Sequence, residues 1–283
     1  MDPLFIGGCG RSGTTLLVDL VGCHSQISPI YEPWFIFDVG RLIFLEKGMP
    51  ALERVRAIKE GVDGWISNLE DAPYNKKSTE RYRHGAWNIR FQPETLRRET
   101  RKLCDRLMAE PALAPFRDYI AALFAEQAAV EGKPYWACKV PRFVLMAPLL
   151  KQAFPNMRFV HCVRDPRTTI PSMASRNWAP KDIASQIEYW KINVDRGHSF
   201  ASKFPAQVLE LRYEDVTAEP APVLSRLFRW LGVEDESADI VARYQRDFPI
   251  TPAAARDGDQ LVDADRTQIE RSLTPQMQRY GYR

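Results

Sequence analysis

Leu4-Phe5-Ile6-Gly7-Gly8-Cys9-Gly10-Arg11-Ser12-Gly13-Thr14-Thr15-Leu16 is the stretch from which the fold is read. A short apolar run enters a glycine-rich loop, and residues 14–23 then place Leu16, Leu17, Leu20 and Val21 on one face at helical spacing. In a strand, glycine loop and helix in that order, backbone N–H groups and the helix N-terminus can cradle an anion. Against the nucleotide-binding pattern GxxxxGK[ST], Gly8, Gly13 and Thr15 fit, but Thr14 replaces the lysine that reaches the β- and γ-phosphates. Arg11 brings a cation into the loop instead, and Ser12, Thr14 and Thr15 add hydroxyl donors.

Outward from this unit, apolar runs at residues 135–140, 158–163 and 207–211 are each followed by a segment of helical period. That alternation predicts an α/β fold, a P-loop-type parallel sheet flanked by helices. Residues 34–134 carry helical periodicity without clear strands, for example Phe116, Ile120, Leu123 and Phe124 on one face. They read as a helical insertion between the first and second strands of a single domain spanning residues 1–283. Asp165-Pro166 and Thr274-Pro275 each predict a helix start, with a capping side chain before a proline. Residues 76–106 hold ten Lys or Arg against four Asp or Glu, either a solvated helix face or a surface for an anionic ligand.

The 283 residues are 45% hydrophobic, which excludes disorder for the bulk of the chain. Thirty-nine basic and 36 acidic residues leave +3, so neither a nucleic-acid coat nor a polybasic tether is expected. No apolar run reaches the ~20 residues of a membrane span. The first residues lack the basic and apolar regions of a signal peptide. Five cysteines without CxxC spacing suit reduced thiols in the cytoplasm, and no metal site is expected.

A second anion constellation follows the run at 158–163: Arg164-Asp165-Pro166-Arg167, then Ser172 and Arg176, four apart and expected on one helix face. By itself it reads more readily as a strand-end arginine paired with Asp165 beside a solvated helix. In an open parallel sheet, however, both loops meet at the carboxyl edge where ligands bind. Gly10-Arg11-Ser12-Gly13-Thr14-Thr15-Leu16 together with Arg164 and Ser172 resembles the two cofactor loops of the sulfotransferases that use 3′-phosphoadenosine 5′-phosphosulfate, PAPS. The residues Leu211-Arg212-Tyr213-Glu214-Asp215 and Phe228-Arg229-Trp230-Leu231-Gly232 extend the likeness to the family's strand and helix beside the adenosine. It covers the strands and last helices but little of the insertion.

The resemblance implies a PAPS-dependent O-sulfotransferase whose first loop holds the 5′-phosphosulfate and whose second holds the 3′-phosphate. The motif pattern is most similar to the tyrosylprotein sulfotransferase branch. By that likeness Glu32 is the catalytic base, Lys139 stabilises the transferring group, and Ser272, in Ile269-Glu270-Arg271-Ser272, contacts the cofactor. Trp34 stands where that branch has an acceptor-contacting arginine. Pro141 replaces the histidine base of the steroid and phenol enzymes.

Trp34, Phe35, Phe37 and Phe44 offer aromatic surface for a hydroxylated small-molecule or glycan acceptor. A peptide tyrosine is the alternative acceptor; the sequence names neither the acceptor nor an oligomeric state. A P-loop small-molecule kinase and a nucleotide-binding module without catalysis are the competing functions. Thr14 and Arg164 argue against the first, and Glu32 and Lys139 against the second. His161 reads as a satisfied core residue, His24 as a cap at the end of the loop helix, and Cys9 as a packing or redox-sensitive thiol.

Overall fold

The computed structural model describes residues 1–71, 91–109, 112–174, 176–251 and 262–282. In chain order the first half comprises β1 (Leu4–Gly8), α1 (Thr14–Gly22), β2 (Ile27–Tyr31), α2 (Trp34–Phe44), α3 (Ala51–Asp71), α4 (Pro93–Leu107) and α5 (Leu113–Val130). The second comprises β3 (Tyr135–Lys139), α6 (Phe143–Ala153), β4 (Arg158–Val163), α7 (Pro166–Ala174), α8 (Ile183–Lys203), β5 (Val208–Arg212), α9 (Tyr213–Ala218), α10 (Pro220–Leu231), α11 (Ser237–Asp247) and α12 (Asp263–Arg279). The five strands form one parallel sheet in the order β2-β3-β1-β4-β5.

Period-two alternation in the central strand explains its layers. Leu4 and Ile6 of β1 pack with Leu17, Leu20, Leu224 and Phe228, so that α1, α10 and α11 cover one face. Phe5 points the other way, into a core with Phe124, Phe143 and Phe159 that the insertion helices and α6 complete. A third cluster, including Cys9, Val163, Ile170, Trp190, Ile269 and Leu273, joins α7, α8 and α12 to the carboxyl end of the sheet.

The parallel sheet flanked by helices is as the sequence predicts, with one strand added. Ile27-Ser28-Pro29-Ile30-Tyr31 is β2, so the insertion lies between the second and third strands, not between the first and second. Pro29 hides the strand from a pattern reading, yet β2 is an edge strand, where a residue without an N–H is tolerated. Asp165 does cap α7: its Oδ1 accepts the Arg167 N–H at 2.8 Å, with Pro166 opening the helix. Thr274-Pro275 starts no helix. Pro275 lies inside α12, and the Thr274 hydroxyl donates back to the Glu270 carbonyl at 2.6 Å. Of the basic stretch at 76–106, residues 76–90 lie outside the described residues. In the remainder Arg97, Arg98, Lys102 and Arg106 pair with Asp63, Glu126, Glu99 and Asp118, a solvated ion-pair surface.

Candidate active site

Because all five strands run parallel, Gly8, Tyr31, Lys139, Val163 and Arg212 end them at one edge. The loop after β1 leads into α1 through Gly13, left-handed at φ 81°, and no side chain caps the helix. The first-turn amides of α1 are therefore left to another acceptor. Ser12 is buried and its Oγ has no hydrogen-bond partner. An orphaned buried hydroxyl is costly unless a ligand satisfies it. Arg11 crosses to the second loop, where its Nε donates to Ser172 Oγ at 3.1 Å. Arg11 and Glu32, at φ 73° and 43°, are the non-glycine residues with positive φ among the described residues. Such conformations cost energy and persist where surrounding structure holds them, often at functional sites.

In β3 Ala137 faces the α1 side of the sheet, and alternation sends Lys139 the same way. Its side chain is fully buried, and a buried ammonium needs partners. Nζ donates to Thr15 Oγ1 at 3.0 Å and to the Glu32 carboxylate. Glu32 follows the end of β2, with its backbone N–H bonded to the Lys139 carbonyl at 2.8 Å. Its second carboxylate oxygen accepts from Trp34 Nε1 at 3.2 Å. Behind the pair lies Asp19 of α1, which accepts from the Tyr31 hydroxyl at 2.6 Å and the Tyr244 hydroxyl at 3.3 Å. Burial pushes its carboxyl up to about 6, against the lowering influence of Tyr31, Lys139 and Tyr244.

Arg164 leaves β4 and ties the two loops together. It donates to the Arg11 carbonyl at 3.2 Å and to Thr168 Oγ1 at 3.0 Å, and its guanidinium lies 4.5 Å from the Tyr213 ring centroid. The same ring lies against Gly13, where an added Cβ would fall 2.2 Å from it. Gly10, Arg11, Ser12 and Gly13 of the loop, Thr14 and Thr15 of the first turn of α1, Arg164 after β4, Ser172 of α7 and Tyr213 at the start of α9 thus come to one edge.

Other expected positions fall elsewhere. Arg176 does not share a helix face with Ser172, because α7 ends at Ala174 and the Arg176 N–H turns back to the Met173 carbonyl at 2.9 Å. Ser272 is exposed on α12, with no hydrogen bond to either loop among the described residues. Phe35 is a core residue, 4.7 Å from Trp65 and 5.9 Å from Phe91 between ring centroids, and is buried where Trp34 and Phe37 are not. Trp34 and Phe37, three apart on α2, remain half-buried beside Glu32.

Burial pushes the Cys9 thiol far up, opposite to what redox sensitivity requires, and leaves it a packing residue. His24 caps α1 only through its backbone, whose N–H bonds the Val21 carbonyl at 3.1 Å; its ring lies between Glu234 O, at 2.9 Å, and the Gln26 N–H, at 3.0 Å. His161 is a core residue bonded to Glu210 at 2.9 Å. Two residues absent from the sequence reading belong here. Asp19 is hidden within an apolar helix face, and Trp178, 54% exposed, lies against Gly10 from a loop 168 residues later. No spacing signal connects either to the glycine loop.

A parallel sheet with a glycine-rich loop at its carboxyl edge defines a class of α/β proteins that bind ligands at that edge, and comparison narrows it. The sequence model of the Sulfotransferase family matches residues 3–237, and the chain belongs to that family. Among its relatives is the omega-hydroxy-beta-dihydromenaquinone-9 sulfotransferase Stf3 of Mycobacterium bovis, 23% identical over 262 residues, covering 82% of this chain and 63% of the relative. The chain therefore spans under two thirds of that relative's length. A Caenorhabditis briggsae protein whose name places it among the protein-tyrosine sulfotransferases is 25% identical over 126 residues, 42% of this chain and 45% of that protein. The fold is shared with the crystal structure of sulfotransferase STF9 from Mycobacterium avium, with a TM-score of 0.56 at 14% identity over 98% of this chain and 76% of that one. It is shared too with the sulfotransferase domain of the curacin biosynthetic pathway, at 0.55 and 15% over 96% and 97%. Among the described residues no helix is long and apolar enough to cross a membrane.

Proposed function

We propose that the chain transfers the sulfuryl group of PAPS to a hydroxyl of an organic acceptor, with Glu32 as general base. The observation that carries this reading is the bridge made by Lys139. One buried ammonium touches a hydroxyl of the anion loop and the carboxylate beside it. A donor anion and an acceptor hydroxyl would thereby meet at one cation, the arrangement that in-line transfer needs.

PAPS, when bound, supplies the sulfuryl group and leaves as adenosine 3′,5′-bisphosphate. The orphaned Ser12 hydroxyl and the uncapped amides of α1 suit its phosphosulfate, with Gly10, Arg11, Gly13, Thr14 and Thr15 around them. Arg164 and Ser172 provide a cation and a hydroxyl for the 3′-phosphate, and Tyr213 an aromatic face beside them. Arg176 and Ser272 are left outside this set. Glu32 takes the acceptor proton, Lys139 balances charge on the transferring group, and Trp34 orients the Glu32 carboxylate. No step assigned to these residues draws on a metal. The five free thiols suit a reducing, cytoplasmic setting.

Thermal-shift titration tests the reading. Adenosine 3′,5′-bisphosphate without added metal is expected to raise Tm, because a ligand of the native state shifts unfolding by mass action. Arg164→Ala is expected to weaken that binding by about tenfold or more, the loss of a charge-assisted contact. Preference for ATP with Mg²⁺ over the bisphosphate would make the kinase reading the better one.

A further inference from the structure

The candidate catalytic pair adjoins a circuit of side chains of which the reaction as described uses Trp34 alone. Trp34, whose indole holds Glu32, meets Phe37 at 6.4 Å between ring centroids. The Arg142 guanidinium lies 4.8 Å from the Phe37 centroid. Tyr189 of α8 follows. Burial pushes its phenol up to about 12. The Pro141 carbonyl, next to Arg142, accepts the Gly8 N–H at 2.9 Å, so Arg142 stands beside the glycine loop. Trp178 packs 6.0 Å from Tyr189 and closes the circuit against Gly10 of the anion loop. Three separate segments thus contribute one aromatic rim, and a fourth adds Arg142 to it.

Arg142 is the feature of this rim that packing does not explain. It is exposed, three residues after Lys139, and among the described residues its guanidinium meets an aromatic face and no carboxylate. It also occupies the cap position of α6, whose first turn holds no acidic residue, so the helix dipole opposes its charge. A local rule broken without compensation marks a position kept for another purpose. A guanidinium stacked on a ring is preorganised, and its edge remains open to a planar anion. Arg167, by contrast, is occupied by Asp165 and Glu270.

We propose that Arg142 is a specificity-determining residue, which takes the carboxylate of a hydroxylated aromatic acceptor whose ring lies among Trp34, Phe37, Tyr189 and Trp178. The proposal rests on the sulfuryl-transfer reading in the previous section and names its acceptor class. The rim supplies the apolar surface, and Arg142 a charge complementary to an acid that the cofactor loops do not engage.

Calorimetric titration of the full chain, saturated with adenosine 3′,5′-bisphosphate, with 6-hydroxy-2-naphthoate and with 2-naphthol tests it. The naphthoate is expected to bind about tenfold or more tightly than the naphthol, the gain of one charge-assisted contact. R142Q is expected to abolish that difference while leaving 2-naphthol and bisphosphate affinities unchanged, which also shows that the variant is folded. Equal binding of the two probes to the wild-type chain, a difference that survives in R142Q, or no binding of either would overturn the proposal. Failure of the bisphosphate to bind would count against sulfuryl transfer alone, since the same two probes titrated without it still decide the role of Arg142.

Discussion

Lys139 has no side-chain exposure to water and meets its charge through Glu32, with Asp19 farther off. Removing one partner of a buried pair leaves the other's desolvation unrepaid, about 3–5 kcal/mol. Glu32→Gln and Glu32→Ala should therefore behave differently. The amide keeps an oxygen for Lys139 but cannot take the acceptor proton, so kcat should fall by roughly 10²–10⁴ with bisphosphate affinity retained. The alanine variant should lose turnover and in addition unfold at markedly lower urea concentration. Steady-state assays with PAPS and urea melts of both variants distinguish the two effects. Wild-type turnover in the glutamine variant would reassign the base.

Between elements, the contact that sets the loops after β1 and β4 is the approach of α9 to the start of α1. Gly13 needs a left-handed backbone, and Tyr213 occupies the space a side chain there would fill. Gly13→Ala should cost roughly 1–2 kcal/mol for the backbone alone, and more as the ring is displaced. Because the ring also lies against Arg164, displacement should weaken bisphosphate binding as well. Adding Tyr213→Ala should recover the steric share of the loss but not the backbone share. A double-mutant cycle in urea would then give a coupling between the two positions; additive effects would show that the ring yields freely.

Across the whole molecule, a half-buried carboxyl, Glu210, and a buried one, Asp19, act on stability with opposite signs. Burial works to raise the Glu210 carboxyl, but hydrogen bonds and charge from His161, with Tyr280 and His198, outweigh it and lower the group from 4.5 to about 2. Its native value is depressed, so its contribution is present above the unfolded value and lost as pH falls from about 4.5 towards 2. Glu210→Gln should flatten the fall of the urea midpoint over that range. Asp19, raised from 3.8 to about 6, holds its proton in the folded state, and stability is lost as pH rises through that interval. Asp19→Asn should therefore gain on the wild type between pH 4 and pH 7, as urea midpoints at the two pH values would show. Equal wild-type and variant slopes would show that neither environment differs between the folded and unfolded chain.

The strand, loop and helix at residues 4–22 and the three later strands are local patterns of apolar period and glycine spacing and were legible without a structure, and the meeting of the Arg11 and Arg164 loops followed from the parallel sheet those patterns imply. Glu32 and Lys139 were legible only through a family likeness, because their 107-residue separation carries no period. Tertiary structure alone decided the rest. It made an edge strand of Ile27–Tyr31 despite Pro29, turned Phe35 into the core while leaving Trp34 beside Glu32, and broke the relation of Ser172 to Arg176 by ending α7 early. It also brought Trp178 onto Gly10 and Arg142 onto Phe37. The physical reason is that periodicity records which face of an element is apolar, whereas a site at a sheet edge is assembled from strand ends whose neighbours are set by strand order and packing.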